Sequence, residues 1–358
     1  MLVLTPEYAP YAWGGLATYL HQVVARLVAS GALVDVVVAP TYARETDRVA
    51  VDGLPQALIV EADAGPEAHA AAIEREWGHS YDVAFVQDPH AAPLASLLLR
   101  RSVCRRVVAT AHLPTYSGFS YFDKPEDDAR QQALEALLFR LSQRVMAPSR
   151  FAADIVLQVH RLHPDDIAVL PYGAPSIEPS VRSHRPDDPL DVVSVGRVAK
   201  QKGLDDLCEI AAVVPERVAS FTHIGSARKG MDDAALQATR ITALGYRPYQ
   251  DVLSRLLEAD VVISTSMYET FGLALLEGMA AGAVPVAFEC GAYAEFIEPD
   301  VSGVLVGPGD VAGAAAAIGE LQRDTARLDN LAAGAIAAAS SFSWDTHVAE
   351  LTTVLAGG

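Results

Sequence analysis

The chain has 358 residues, 51% hydrophobic and 20% charged, with 27 Lys and Arg against 45 Asp and Glu and a formal net charge of −18. That balance belongs to an ordinary folded protein and excludes the disordered and fibrous classes, while the length points to two domains of about 150 residues each. The acidic excess weighs against extended binding to DNA, RNA or an anionic lipid surface, because such binding rests on a broad basic face.

Three cysteines, Cys104, Cys208 and Cys290, lie far apart with no CxxC spacing, so neither a disulfide framework nor a zinc site is predicted. The N-terminus MLVLTPEYAPYAWGG lacks the basic region and long apolar run of a secretory leader. No window reaches the roughly 18 uncharged apolar residues of a membrane span. The expected location is the cytoplasm.

In chain order, short β-branched runs alternate with helical patterns: LVLT, LATYLHQVVARLVAS, LVDVVVA, AHAAAIEREWG, DVAFVQ, RRVVATA, ARQQALEALLFRLSQ, RVMAPS, RFAADIVLQVHRL and DIAVLP. This rhythm predicts a doubly wound parallel sheet over residues 1–172. Five prolines, at 171, 175, 179, 186 and 189, mark a linker over 173–190. The alternation restarts with DVVSVG, LDDLCEIAAVV, VASFTHIG, ITALG, YQDVLSRLLEA, DVVISTS, FGLALLEGMAA, AVPVAF and GVLV, a second Rossmann-like domain over 191–341. The alanine-rich stretch 311–339 reads as a helical pair. The tail, 342–358, reads as an amphipathic helix that suits either domain. The fold class is α/β, with ligands expected beyond the carboxyl ends of the strands, in a cleft that the two sheets face.

The loops at those ends carry the candidate site. In SVGRVAKQKGL a strand ends at Gly196 and a helix opens near Leu204, with Arg197, Lys200 and Lys202 between them. Arg197 and Lys202 are placed to clamp a diphosphate beside a helix N-terminus, against the alternative of a solvated basic loop. Gly14 and Gly15 precede a long helix, and paired glycines permit close backbone approach and positive φ; neither GxGxxG nor GxxxxGK[ST] occurs anywhere. In MYETFGLALLEGMAAG, Glu269 lies before a helix expected from Phe271 to a C-terminal glycine, Gly282. Glu277, eight residues on, is about 80° around and roughly 12 Å along, so the two acids grip different parts of an extended ligand instead of forming a close pair. Either carboxylate suits vicinal hydroxyls; the plain alternative is a charge at a helix N-terminus and an exposed helical acid.

His112 follows the strand RRVVATA at its carboxyl end and is read as functional. Asp88 and His90 follow DVAFVQ and suit either acceptor contact or helix capping. The loop HLPTYSGFSYFDKPEDD, with Tyr116, mixes aromatics and acids in the manner of an acceptor pocket. His160 and His163 are read as a surface pair, not a metal site. Arg100, Arg101, Arg105 and Arg106 are read as a solvated turn after a helix, with membrane contact the minor alternative.

Taken together, WGGLATYL, QDPHAAPL, ATAHLP, APSRFAADIV, VLPYGA, VGRVAKQKGLDDL and SGVLVGPGD, with Glu269 and Glu277 as an E-x7-E pair before GMAAGAVPV, resemble a retaining nucleotide-sugar glycosyltransferase of the GT-B class, family 4 type. More distantly they resemble bacterial glycogen synthases. The resemblance covers nearly the whole chain. It implies that Arg197 and Lys202 bind the donor diphosphate, and that Glu277 binds the ribose. Glu269, with the backbone of Phe271, Gly272 and Leu273, would hold the transferred sugar and distal phosphate. Gly15, with Gly14 beside it, would approach the diphosphate, Arg247 in GYRPYQ would border the nucleobase, and His112 would contact the sugar near the reacting centre. Three departures stand out: Tyr172 replaces the usual asparagine of PNG, Ala174 and Pro175 replace VD, and ECGAYAE has one glycine where two are common.

The resemblance therefore implies a hexose transferase using a UDP- or GDP-linked donor and no cofactor; the brevity and alanine-rich composition suit a small-molecule or glycan acceptor in a biosynthetic role, and the acidic charge weighs against a nucleic-acid partner. No Asp-x-Asp triplet occurs, so protein cations are expected to meet the leaving-group charge in place of a metal. A non-catalytic nucleotide-sugar-binding protein, or an epimerase or phosphorylase on the same scaffold, are the alternatives. The acceptor, the donor's base and sugar, and the oligomeric state stay open.

Overall fold

The structure is a computed structural model, and it describes the chain except residues 9–13, 40–53, 56, 62, 117–124, 181–184, 186–187, 227–235, 237–238 and 358. Most of the expected acceptor loop, part of the 173–190 segment and the residues just before Gly14 therefore lie outside the described residues. The chain divides into two compact units, Met1–Tyr172 with Trp344–Gly358, and Gly173–Ser343.

In the first unit seven strands, β1 (Leu2–Thr5), β2 (Asp35–Val38), β3 (Ala57–Ile59), β4 (Ala84–Val86), β5 (Val107–Thr110), β6 (Arg144–Ala147) and β7 (Ile167–Val169), form one sheet in the order β3-β2-β1-β4-β5-β6-β7. Every neighbouring pair is parallel. β1, β4 and β5 are buried along their whole length, which is why their sequences are unbroken apolar runs and not alternating ones. The helices are α1 (Gly15–Ala29), α2 (Gly65–Trp77), α3 (Ala92–Arg100), α4 (Pro125–Leu141) and α5 (Arg150–His160). α5 starts where it does because the Ser149 side chain accepts from the Ala152 N–H. β3 is the strand that the sequence analysis does not include.

The second unit holds β8 (Leu190–Val195), β9 (Ala219–Ile224), β10 (Thr242–Gly245), β11 (Val261–Ser264), β12 (Val284–Phe288) and β13 (Val304–Val306), in the order β10-β9-β8-β11-β12-β13 and again parallel throughout. Its helices are α6 (Leu204–Val213), α7 (Tyr249–Leu257), α8 (Leu273–Ala281), α9 (Val311–Arg323) and α10 (Thr325–Ala339). α8 lies tight on β11, since a Cβ at Gly278 would come within 2.6 Å of the Val262 side chain. Leu275, Leu276 and Met279 are buried with it, each worth about 1.5–3 kcal/mol of transfer free energy. Segment 173–190 starts this unit, and Ser180 donates its N–H to the Ala281 carbonyl at the end of α8.

The last helix, α11 (Trp344–Ala356), packs with the first unit. Arg26 on α1 meets Asp345 at 2.7 Å, and Arg106 donates to the Leu355 carbonyl. In both sheets the strand order reverses beside the first strand of its own unit, at β1/β4 and at β8/β11. Ligands of open parallel sheets bind at these switch points, beyond the carboxyl ends.

Candidate functional site

At the second switch point the segment after β8 carries Arg197 and Lys202, and the segment after β11 carries Glu269. Lys202 Nζ meets Glu269 Oε2 at 2.5 Å, with both side chains mostly covered. The two segments are tied together by backbone as well. Met267 N–H donates to the Gln201 carbonyl at 2.8 Å, Gln201 Nε2 donates to the Tyr268 carbonyl at 2.7 Å, and the Thr265 hydroxyl reaches the Gly203 carbonyl at 2.8 Å. Gly203 has φ +59°, and a Cβ there would sit 2.0 Å from the Thr265 carbonyl oxygen, so only glycine permits this approach. Gly291 does the same for Glu269: its φ is +55°, and a Cβ would fall 1.7 Å from the Glu269 carbonyl oxygen. The single glycine of ECGAYAE is thus the one that seats the loop. Neighbouring Cys290 has its thiol pushed up to about 12, first by burial and then by the Glu269 charge.

The helix behind Glu269 starts at Leu273, two residues later than expected. Gly272 stands at φ +101° and breaks the helix, and Phe271 is instead buried against Phe296 and Phe342. α8 has no side-chain hydrogen bond at its N-cap, Gly272. Glu277 is not an exposed helical acid: it is buried at 6% exposure, and burial pushes its carboxyl up to about 7 while a hydrogen bond from Tyr249 on α7 pulls the other way. Arg247, after β10, is exposed and donates to the Tyr246 carbonyl at 2.9 Å. Arg197 is half-buried after β8.

In the first unit Gly14 is the extended residue before α1, φ −174°, and Gly15 is the first residue of the helix. Neither adopts positive φ, so the conformational reason for the glycine pair does not hold. Asp88 caps the turn after β4: its Oδ1 accepts from the His90 backbone N–H and meets His90 Nδ1, both at 2.8 Å, which raises the His90 pKa above its ordinary value. Tyr116 is half-buried, edge-on to Phe151. His112 is held at both nitrogens, Nδ1 by the Tyr172 hydroxyl at 2.5 Å and Nε2 by Gln87 Oε1 at 2.8 Å. Burial pushes its pKa down to about 3, so the ring is neutral.

Residues 13–175 match the family model described as Glycosyltransferase Family 4, and residues 177–337 match the one described as Glycosyl transferases group 1. The chain belongs to the family 4-type glycosyltransferases. A glycogen synthase of Mycobacterium tuberculosis is 26% identical over 388 positions, 97% of this chain and 92% of that one. A D-inositol 3-phosphate glycosyltransferase of Xylanimonas cellulosilytica is 30% identical over 259 positions, 65% of this chain and 61% of that one. Among solved structures, the Anabaena protein HepE in complex with UDP-glucose has a TM-score of 0.79 at 18% identity, each chain covered to 100%. That likeness is one of fold: two Rossmann-like domains of the GT-B class.

Two parts of this glycosyltransferase were not foreseen in the sequence. His160 is buried, not on the surface: its Nε2 meets Glu135 Oε2 at 3.1 Å with side-chain exposures of 2% and 1%. Glu135, on α4, also accepts from the Thr115 N–H at 3.0 Å and the Thr115 hydroxyl at 2.8 Å, and so anchors the segment that leads from His112 to Tyr116. The basic cluster, in turn, is divided among separate partners: Arg100 with Ser96, Arg101 with Glu74, Arg105 with Asp82 and Arg106 with Leu355. Among the described residues no helix is long and apolar enough to cross a membrane.

Proposed function

We propose that this glycosyltransferase moves a hexose-type sugar from a nucleoside-diphosphate donor to a small-molecule acceptor, with retention and without a metal. The observation that carries the reading is Lys202 paired with Glu269 at a sheet switch point, before the N-terminus of α8. An ammonium has three donors; Glu269 takes one and leaves two for a phosphate. Arg197 supplies a second cation and the α8 backbone supplies N–H groups. Preorganised donors of this kind are typically worth about 3 kcal/mol apiece against developing charge.

With the diphosphate so held, the C–O bond to the anomeric carbon lengthens and that carbon takes oxocarbenium character. The acceptor attacks from the face the phosphate leaves, and the departing phosphate oxygen takes the acceptor's proton. No side-chain base is required, which suits a neutral His112. Glu269, in the loop before α8, would hold sugar hydroxyls, and Glu277, buried on the helix itself, the ribose diol. HepE binds UDP-glucose, which supports a UDP-linked donor.

The test is turnover of a panel of UDP- and GDP-sugars, with and without EDTA, with the anomeric configuration of the product read by NMR. Retained configuration and EDTA-insensitive turnover are expected. An inverted product, or activity that disappears with chelator and returns with magnesium, overturns the proposal.

A further inference from the structure

His112 is tied to an element that the motif pattern does not include. Tyr172 stands where the resemblance leads one to expect asparagine, and it is 6% exposed. Its ring stacks on Trp344 of α11 at 16° between planes and 6.1 Å between centroids, and Tyr19 lies 4.8 Å away. Its backbone is held too: His347, also on α11, sits with Nδ1 2.9 Å from the Pro171 carbonyl, while its Nε2 faces the Tyr19 hydroxyl at 3.4 Å. From this seat the Tyr172 hydroxyl meets His112 Nδ1 at 2.5 Å. With the phenol donating to Nδ1, the imidazole proton is on Nε2 and donates to Gln87 Oε1 at 2.8 Å. Tyr19 closes the ring edge-on at 5.0 Å.

We propose that Tyr172 is a positioning residue for sugar transfer: its hydroxyl fixes the His112 imidazole in one tautomer and one orientation, and α11 holds Tyr172 in place through Trp344 and His347. The proposal rests on the reading of His112 as a wall of the reacting centre. Asparagine at this position would supply neither the phenol nor the ring, so the device belongs to this chain's own sequence. A ring tied at both nitrogens shapes the site and does not carry the acceptor's proton, in keeping with transfer of that proton to the departing phosphate. Loosening such a wall by about 1 Å is enough to cost up to 10²-fold in turnover.

The experiment uses full-length wild type, Tyr172→Phe, His112→Ala and the double variant. UDP-glucose and the other donors of the panel are assayed, and ring ¹⁵N shifts of His112 are read in histidine-labelled protein. Tyr172→Phe is expected to lower kcat about tenfold or more with donor KM within about threefold, to lose the single-tautomer ¹⁵N pattern, and to have no further effect in the His112→Ala background. Trp344→Leu, which keeps the hydroxyl but removes the stacking partner, should shift both readouts in the same direction by less. An unchanged ¹⁵N pattern in Tyr172→Phe, or an equal loss of kcat whether or not His112 is present, overturns the proposal. If wild type turns over no nucleotide sugar, the glycosyl-transfer reading fails, while the ¹⁵N pattern still decides the link: altered in Tyr172→Phe upholds it, unchanged overturns it.

Discussion

Glu277 offers a prediction with a worked magnitude. Burial raises its carboxyl from an ordinary 4.5 to about 7, so the folded chain holds this proton more tightly than the unfolded chain does. Its contribution to stability is therefore full below pH 4.5 and is lost as pH rises through about 7. Each pH unit between those two values is worth about 1.4 kcal/mol, or about 3 kcal/mol in all. Ligand binding runs in the opposite direction, because the ionised carboxylate offers a charged acceptor oxygen to each hydroxyl of a diol, whereas the protonated acid turns one of its oxygens into a donor. With a pKa of about 7, roughly a tenth of the sites are ionised at pH 6 and about nine-tenths at pH 8. The affinity for UDP-glucose, whose diphosphate does not titrate in this range, should then rise about tenfold from pH 6 to pH 8 in calorimetric titrations. Glu277→Gln should bind more weakly, by about 10 to 10²-fold, and show no such slope. A flat wild-type profile, or the same slope in Glu277→Gln, would refute the reasoning.

Three further outcomes rest on buried groups and close contacts. Glu135→Ala leaves His160 and both Thr115 donors without a charged partner and should destabilise the first unit by about 3–5 kcal/mol in urea unfolding; a loss under about 1 kcal/mol would mean that the Glu135–His160 pair is not holding that segment. Gly291→Ala forces a Cβ into the Glu269 carbonyl at positive φ and should cost about 1–3 kcal/mol of stability and lower kcat/KM for the donor, whereas wild-type kinetics would show that Glu269 does not depend on this seat. Burial lowers His112 to about 3 and His347 to about 4, so stability present above pH 6.5 is lost as pH falls toward those values. At pH 5 the two together should cost about 4 kcal/mol, read from Trp fluorescence on acid titration; a first unit equally stable at pH 5 and pH 7 would contradict this.

The fold was legible because buried parallel strands must be continuous apolar runs, and LVLT, DVAFVQ, RRVVATA and DVVIST stand out against amphipathic helices. The loops after those strands were legible for the same reason, since topology sends ligands there, and the loops after β8 and β11 bring Lys202 and Glu269 together, with Arg197 on the first of them. What could not be read were contacts between distant residues. Glu135 looks like any acid on a helix until Thr115 and His160, 20 and 25 residues away, are seen to converge on it. Tyr172 is a departure from a motif until His112, 60 residues earlier, appears beneath its hydroxyl. The glycines that matter were hidden likewise: Gly203 and Gly291 are required by neighbouring carbonyls, while the conspicuous Gly14 and Gly15 take ordinary backbone angles. The start of α8 was misplaced by two residues because Phe271 fits a helical apolar pattern equally well, and only the left-handed Gly272 excludes it.

The central claim is that fixed cations, above all Lys202 with Arg197, neutralise the departing diphosphate. Steady-state sugar transfer by Lys202→Ala and Arg197→Ala, measured in EDTA beside a thermal melt of each variant, tests it most directly. The account predicts turnover at least about 10²-fold below wild type with melting temperatures within a few degrees. Near-wild-type turnover in both variants would contradict it.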